Sequence, residues 1–241
     1  MDNSRLTCIE WHTLQPRALG PNSVVLDLGA NRGRFSQKVI NRFGSRCYAV
    51  EASTPIYAAL KDTERIRNFH YAIMGHNGQV AMFTDDNELA STTRQGKASQ
   101  EPNDIVESIR LDDFVASQGI VRIDLLKMDI EGAEVEVFDS LSDEFLRGIG
   151  QLSVEFHDFC GLASEADVAR IVARLEGLGF TSFKMSRYGH QDTLFVNRSI
   201  VRMSRLDVLY IRHLLRHALG LMRLLLRALK VDPSRYPYYN R

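Results

Sequence analysis

Val24-Val25-Leu26-Asp27-Leu28-Gly29-Ala30-Asn31-Arg32-Gly33-Arg34-Phe35-Ser36 decides the fold. An apolar run ends in an acid and small residues follow at once. Phe35, Val39, Ile40 and Phe43 then recur at helical spacing until Gly44 stops the pattern. This is a buried strand, a glycine turn and a helix start, the unit with which an α/β protein opens a nucleotide-type crevice at its first strand. A dinucleotide fingerprint wants G-x-G-x-x-G, and Asn31 stands where the middle glycine would. The pyrophosphate reading is weakened accordingly.

Working outward, Cys47-Tyr48-Ala49-Val50 reads as the next strand and ends in Glu51. An acid at that tip, about twenty residues beyond the glycine turn, is placed to hydrogen-bond a ribose hydroxyl pair. A helix-start acid beside Ser53, Thr54 and Pro55 is the alternative. A helix through Ala58, Ala59 and Leu60 and a third strand over 69–74 follow, then turn chemistry at Gly75 to Gly78 and an additional strand over 80–84. Residues 85–103 are polar and aperiodic, a long loop of the kind that serves as a lid or a flexible insertion. Order returns at Glu107 to Phe114. Ile123 to Met128 is the fourth core strand, followed by a helix through Val135, Val137, Phe138 and Leu141. A fifth strand over 152–157, a helix over 164–178 and a hairpin of strands over 180–185 and 193–197 complete the pattern. Such alternation predicts an α/β, doubly wound, mostly parallel sheet of about seven strands with an antiparallel last strand. Residues 1–20, with Leu6, Ile9, Trp11 and Leu14 at helical spacing before Pro16, read as an N-terminal cap segment. Residues 21–198 form the domain and 199–241 a tail.

The pattern Asp27-x-Gly29-x-Asn31-x-Gly33 resembles the first motif of S-adenosylmethionine-dependent methyltransferases. Ile123-Asp124-Leu125-Leu126-Lys127-Met128-Asp129-Ile130-Glu131-Gly132-Ala133-Glu134 resembles the signature of the FkbM methyltransferase family. Leu111-Asp112-Asp113-Phe114 upstream and Val154-Glu155-Phe156-His157 downstream match that family in order and spacing. The resemblance implies a Rossmann-like class I fold, S-adenosylmethionine as methyl donor, and a hydroxyl acceptor on a sugar, glycan, polyketide or other small metabolite. On this reading Asp27, Gly29, Ala30, Asn31, Gly33, Glu51, Ala52 and Asp129 are expected to bind the cofactor.

Asp129 and Glu131 follow a buried strand at the carboxyl edge of the sheet, where the crevice opens. They either face the reaction or favour the start of the next helix through its dipole, as Glu134 would. Methyl transfer needs the acceptor oxygen in line with the methyl and rid of its proton. His157 is the first candidate for general base, because an ordinary histidine titrates near neutrality; Glu155, Asp129 and Glu131 are the alternatives. These four could also meet magnesium or calcium, but nothing in their spacing fixes a geometry, and no metal is assigned.

The formal charge is zero, yet residues 198–241 hold ten Lys/Arg against two acids. From Arg205 to Lys230 six basic residues fall within about 60° on a helical wheel, opposite a wide leucine face. An anionic membrane surface, a second chain or the protein's own body must cover that face. Nucleic acid is not expected, since no aromatic platform accompanies the narrow basic stripe. Cys8, Cys47 and Cys160 show neither a disulfide framework nor zinc spacing, and the sequence starts without an apolar signal core, so a cytoplasmic location with peripheral membrane attachment is the expectation. Rivals to the methyltransferase reading are a nicotinamide oxidoreductase and a catalytically silent adaptor acting through the basic tail.

Overall fold

The computed structural model describes residues 5–84, 90–91, 104–186 and 189–215. The chain opens with a hairpin, β1 (Thr7–Ile9) and β2 (His12–Leu14), paired with Ile9 opposite His12. Glu10 and Trp11 make its turn with φ of 43° and 70°, the mirror-image geometry that suits a two-residue hairpin. The helical spacing of Leu6, Ile9, Trp11 and Leu14 is therefore misleading, and the correction has a physical cause. Hydrogen bonds to distant groups fix the segment as extended: Thr13 N and Oγ1 donate to the Asp192 carboxylate at 3.0 and 2.5 Å, and Gln15 N donates to Gln151 Oε1 at 2.8 Å.

The domain then runs β3 (Val24–Leu28), α1 (Arg34–Phe43), β4 (Arg46–Glu51), α2 (Thr54–Ala59), β5 (Ile66–His70), β6 (Ala72–Met74), β7 (Gly78–Thr84), β8 (Ala90–Ser91), β9 (Asp104–Arg110) and α3 (Leu111–Ser117). It continues with β10 (Leu125–Met128), α4 (Glu134–Ser140), α5 (Asp143–Arg147), β11 (Gln151–Val154), α6 (Glu165–Gly177), β12 (Phe180–Lys184), β13 (Thr193–Asn197) and α7 (Arg205–Leu209). The main sheet has seven strands in the order β12-β13-β11-β10-β3-β4-β5. Neighbours from β11 to β5 are parallel, and β13 lies antiparallel between β11 and β12. The chain winds from β3 out to β5 and returns to the other side of β3 at β10. That switch point opens the crevice.

Alternation along β3 sorts its side chains. Val25 packs with Phe35, Val39, Cys47 and Ala49 under α1, while Leu26 and Leu28 join Met128, Val137, Phe138 and Val154 on the opposite face. Asp27 shares the Val25 side, so the β3 acid points beneath α1. The strand expected over 69–74 is two strands. Phe69 packs on Phe114 with ring centroids 5.1 Å apart, whereas Ala72 and Met74 leave for a second sheet, β6-β9-β7-β8, and pack with Met82 and Val106. One apolar run thus serves two cores, which composition does not reveal. Except for β8, the 85–103 loop lies outside the described residues.

The tail begins docked on the body. Ser204 and Asp207 form a capping box at α7, Arg5 bonds Asp207 at 2.7 Å, and Ile211 is buried against Phe183, Leu194 and Val196. Residues 216–241 lie outside the described residues. No described helix is long and apolar enough to cross a membrane.

Candidate active site

Three loops at the carboxyl ends of β3, β4 and β10 build the site. Gly29 N and Ala30 N both donate to Val50 O, at 3.0 and 2.9 Å. Gly29 has φ of 76°, and a Cβ on it would lie 1.8 Å from Asp129 O. Only glycine lets the β3 and β10 loops touch there. Asn31, at φ 48°, donates its backbone N–H to Glu51 Oε2 at 2.7 Å, and Ser53 N donates to Glu51 Oε1 at 2.8 Å. Burial pushes the Glu51 carboxyl up, and these two N–H groups work against it. Gly33, at φ 70°, takes the residue position before α1 and leaves the helix start without a side-chain cap.

A lysine that sequence reasoning passed over pins the centre. Lys127 Nζ donates to the carbonyls of Leu28 and Gly29 at 3.1 and 2.5 Å and lies 3.3 Å from Asp27 Oδ1 and 3.6 Å from Asp129 Oδ2. Burial lowers its pKa, but Asp27 and Asp129 outweigh burial and hold it above the ordinary value. Asp27, wholly buried, also accepts from Ser36 Oγ at 2.6 Å. Asp27 and Gly33 therefore support the turn from beneath, and neither lines either of the two cavities described below. Strand alternation points Asp27 under α1.

The β10 loop explains the spacing of Asp129, Glu131 and Glu134. Glu134, at the start of α4, is fully buried and accepts from the N–H groups of Ile130 and Gly132 and from His157 Nδ1 at 2.9 Å. Glu131 adopts φ of 53°, which brings its carboxylate 3.2 Å from His157 Nε2. Asp129 Oδ1 lies 3.8 Å from that same nitrogen. Burial would discharge His157, but Glu131 and Glu134 prevail and its pKa is pushed up to about 11. The near-neutral titration that recommended His157 as general base is absent; at pH 7 the ring is an imidazolium.

On the other side of Asp129 stands His12, from the hairpin. Its Nε2 lies 3.6 Å from Asp129 Oδ2, its Nδ1 3.3 Å from Ser153 Oγ, and its ring meets the Phe35 ring edge-on at 5.6 Å. Burial is the largest influence on His12 and keeps its pKa below the ordinary value, so this ring is neutral at pH 7. The only sequence signal for His12 was a lone polar ring within a short apolar segment. Burial also raises the Asp129 carboxyl, yet Lys127 and the two histidines more than reverse this and hold it well below the carboxylate range. Asp129, Glu131 and His157, and separately His12, Asp129 and Glu155, place ligand atoms within 4.8 Å of one another. In the first group the compensating positive charge is the His157 ring, in the second Lys127 beside Asp129.

Two cavities meet at Gly29, Asn31 and Asp129. The first is walled by Val50, Ile56, Tyr71, Ile73, Met82 and Ile130. Its ionisable lining groups besides Tyr71 are Glu51, Asp129 and Glu131, with no Lys or Arg among the described residues; Ala52 lines it too. The second, about 410 Å³, lies between the hairpin and α1 and includes Ala30. Glu155 and His157 line neither, standing behind Asp129 and Glu131.

An apolar slot with Glu51 at the tip of β4 and acids at the switch point suits an S-adenosylmethionine-dependent methyltransferase of Rossmann-like fold, whose cofactor carries a sulfonium cation. The profile of the FkbM methyltransferase domain matches residues 27–182, and the chain belongs to that family. It is 27% identical over 222 residues to the 31-O-demethyl-FK506 methyltransferase FkbM of Streptomyces tacrolimicus, covering 76% of this chain and 80% of that protein. With the 2-O-methyltransferase NoeI of Sinorhizobium fredii it shares 27% identity over 137 residues, 48% of this chain and 56% of the other. It matches the antimetabolite synthetase AmbE of Pseudomonas aeruginosa at 30% identity over 58% of this chain, but spans 9% of that protein's length. Among solved structures, Aeropyrum pernix fibrillarin with bound S-adenosyl-L-methionine is similar at a TM-score of 0.41 and 13% identity, covering 76% of this chain and 68% of that one.

Proposed function

We propose that this methyltransferase acts on a hydroxyl oxygen of a sugar, glycan or other small metabolite. The observation that carries the reading is the acidic first cavity opening onto a second cavity across Asp129, one space for a cationic donor and one for its acceptor. The names of two relatives, a 31-O-demethyl-FK506 methyltransferase and a 2-O-methyltransferase, support oxygen as the target. The acidic lining also opposes the diphosphate that a nicotinamide oxidoreductase would have to hold.

When bound, S-adenosylmethionine supplies an electrophilic methyl group and a thioether leaving group. Glu51 would hold the ribose hydroxyls, with Ala52 beside them, and the backbone of Gly29 and Asn31 would carry the amino acid end. Asp129 lies where the two cavities join and orients the acceptor hydroxyl. An acceptor hydroxyl placed there would have to give up its proton to a base. The imidazolium of His157 has no lone pair to offer. His12, neutral and facing Asp129, accepts the proton at Nε2, and Asp129 steadies the imidazolium that forms. Glu131, Glu134 and His157 lock the β10 loop.

Incubating the protein with 13C-methyl-labelled S-adenosylmethionine and an extract of its native cells tests this. The label is expected on a methoxy carbon, and His12→Asn should slow its transfer by about 10²- to 10⁴-fold with cofactor binding retained. Label found on nitrogen or carbon would overturn oxygen as the target.

A further inference from the structure

The hairpin tip over the second cavity breaks an ordinary rule. A two-residue turn with both φ positive favours Asn and Gly, and this one carries Glu10 and Trp11. A bulky residue at φ 70° is uncommon and costs energy that some other requirement offsets. Trp11 is 46% exposed and lines the second cavity. The indole is thus held at the mouth of a cavity whose inner end reaches Asp129 and His12.

The charge of this cavity is opposite to that of the first. In its outer part Arg32 and Arg34 stand against Glu10, which Lys38 engages; at its inner end Lys127 is already paired with Asp27 and Asp129. Both arginines are exposed, at the entrance to α1. A pyranose ring has an apolar C–H face that packs on indole, and guanidinium groups grip carboxylate and phosphate oxygens through paired N–H donors.

We infer that the second cavity is the acceptor site and takes a sugar bearing a carboxylate or phosphate group, its ring against Trp11, its anionic group on Arg32 and Arg34, and its reacting hydroxyl toward Asp129 and His12. This rests on the O-methyltransferase reading and narrows it from a hydroxyl compound to an anionic carbohydrate. A cofactor whose amino acid end sits at the shared rim leaves the outer part of the second cavity, at Trp11, Arg32 and Arg34, for the acceptor.

Trp11 is the chain's only tryptophan, so indole fluorescence reports on this cavity alone. Protein saturated with S-adenosylhomocysteine, with saturation checked by calorimetry, is titrated with glucuronic acid, glucose 1-phosphate, methyl glucoside and inorganic phosphate. A saturable change with one or both charged sugars is expected, at least tenfold tighter than with methyl glucoside and weakened about tenfold in Arg34→Gln. Response to glucuronic acid assigns the anion as carboxylate, and response to glucose 1-phosphate as phosphate. If S-adenosylhomocysteine alone produces the whole change and no sugar adds to it, the cavity belongs to the cofactor and the inference fails. Equal binding of charged and neutral sugars, or binding untouched by Arg34→Gln, overturns the anionic requirement. Failure of S-adenosylhomocysteine to bind at all would instead sink the methyltransferase reading on which the inference rests.

Discussion

The two cavities that meet at Asp129 are built from different parts of the chain and carry opposite charge. The first is framed by the ends of β3, β4 and β10, and its charged groups are acids. The second is roofed by the N-terminal hairpin and floored by the start of α1, with an exposed indole and two guanidinium groups. The cation-favouring chamber belongs to the doubly wound sheet and comes with the fold, whereas the anion-favouring chamber depends on a segment outside the sheet. On the proposed assignment, donor chemistry is separable from acceptor choice, the first resting on the sheet edge and the second on the hairpin.

The rim common to both cavities offers the severest way to break that separation. Gly29→Ala places a Cβ 1.8 Å from Asp129 O at a positive φ, so the loops must part. A loss on the order of 4 kcal/mol in urea denaturation is expected, with cofactor and sugar binding lost together. Wild-type stability would show that the loops need no contact. Next comes the imidazolium behind the rim. His157→Gln leaves Glu131 and the buried Glu134 without their cation and should cost about 3 kcal/mol. In the wild type the folded state holds the His157 proton up to about pH 11, while the unfolded chain releases it near pH 6.5. The stabilisation is therefore complete below about pH 6.5 and is lost as pH rises toward 11. Denaturation midpoints should fall between pH 7 and 10 in the wild type and fall less in His157→Gln. Equal slopes would mean that the ring is neutral, restoring it as a candidate base.

Much of the first chamber is legible in the sequence, because it follows from one-dimensional regularities. The acid ending β4 sits a fixed distance after the glycine turn, and the β10 acids follow an apolar strand directly. What the sequence hides are contacts between distant segments. His12 meets Asp129 across 117 residues only because the hairpin is tied to Asp192 and Gln151, and helical spacing argued for another structure there. The charge of His157 is set by Glu131 and Glu134 together with burial, none of which a motif reports. Lys127 was visible only as a polar interruption in an apolar strand, and its grip on the Leu28 and Gly29 carbonyls required the neighbouring strand. The division of 69–74 between two sheets is hidden for the same reason, since an apolar residue does not say which core it joins.

Calorimetric titration of S-adenosylmethionine into the wild type, Glu51→Gln and Arg34→Gln tests the division of labour most directly. Glu51 accepts two backbone N–H bonds at the floor of the first chamber, and its replacement should weaken cofactor binding about tenfold, roughly the worth of one hydrogen bond to a charged group. Arg34→Gln should leave that affinity unchanged. Unaltered binding in Glu51→Gln together with a loss in Arg34→Gln would place the cofactor in the hairpin chamber and contradict the assignment of both cavities.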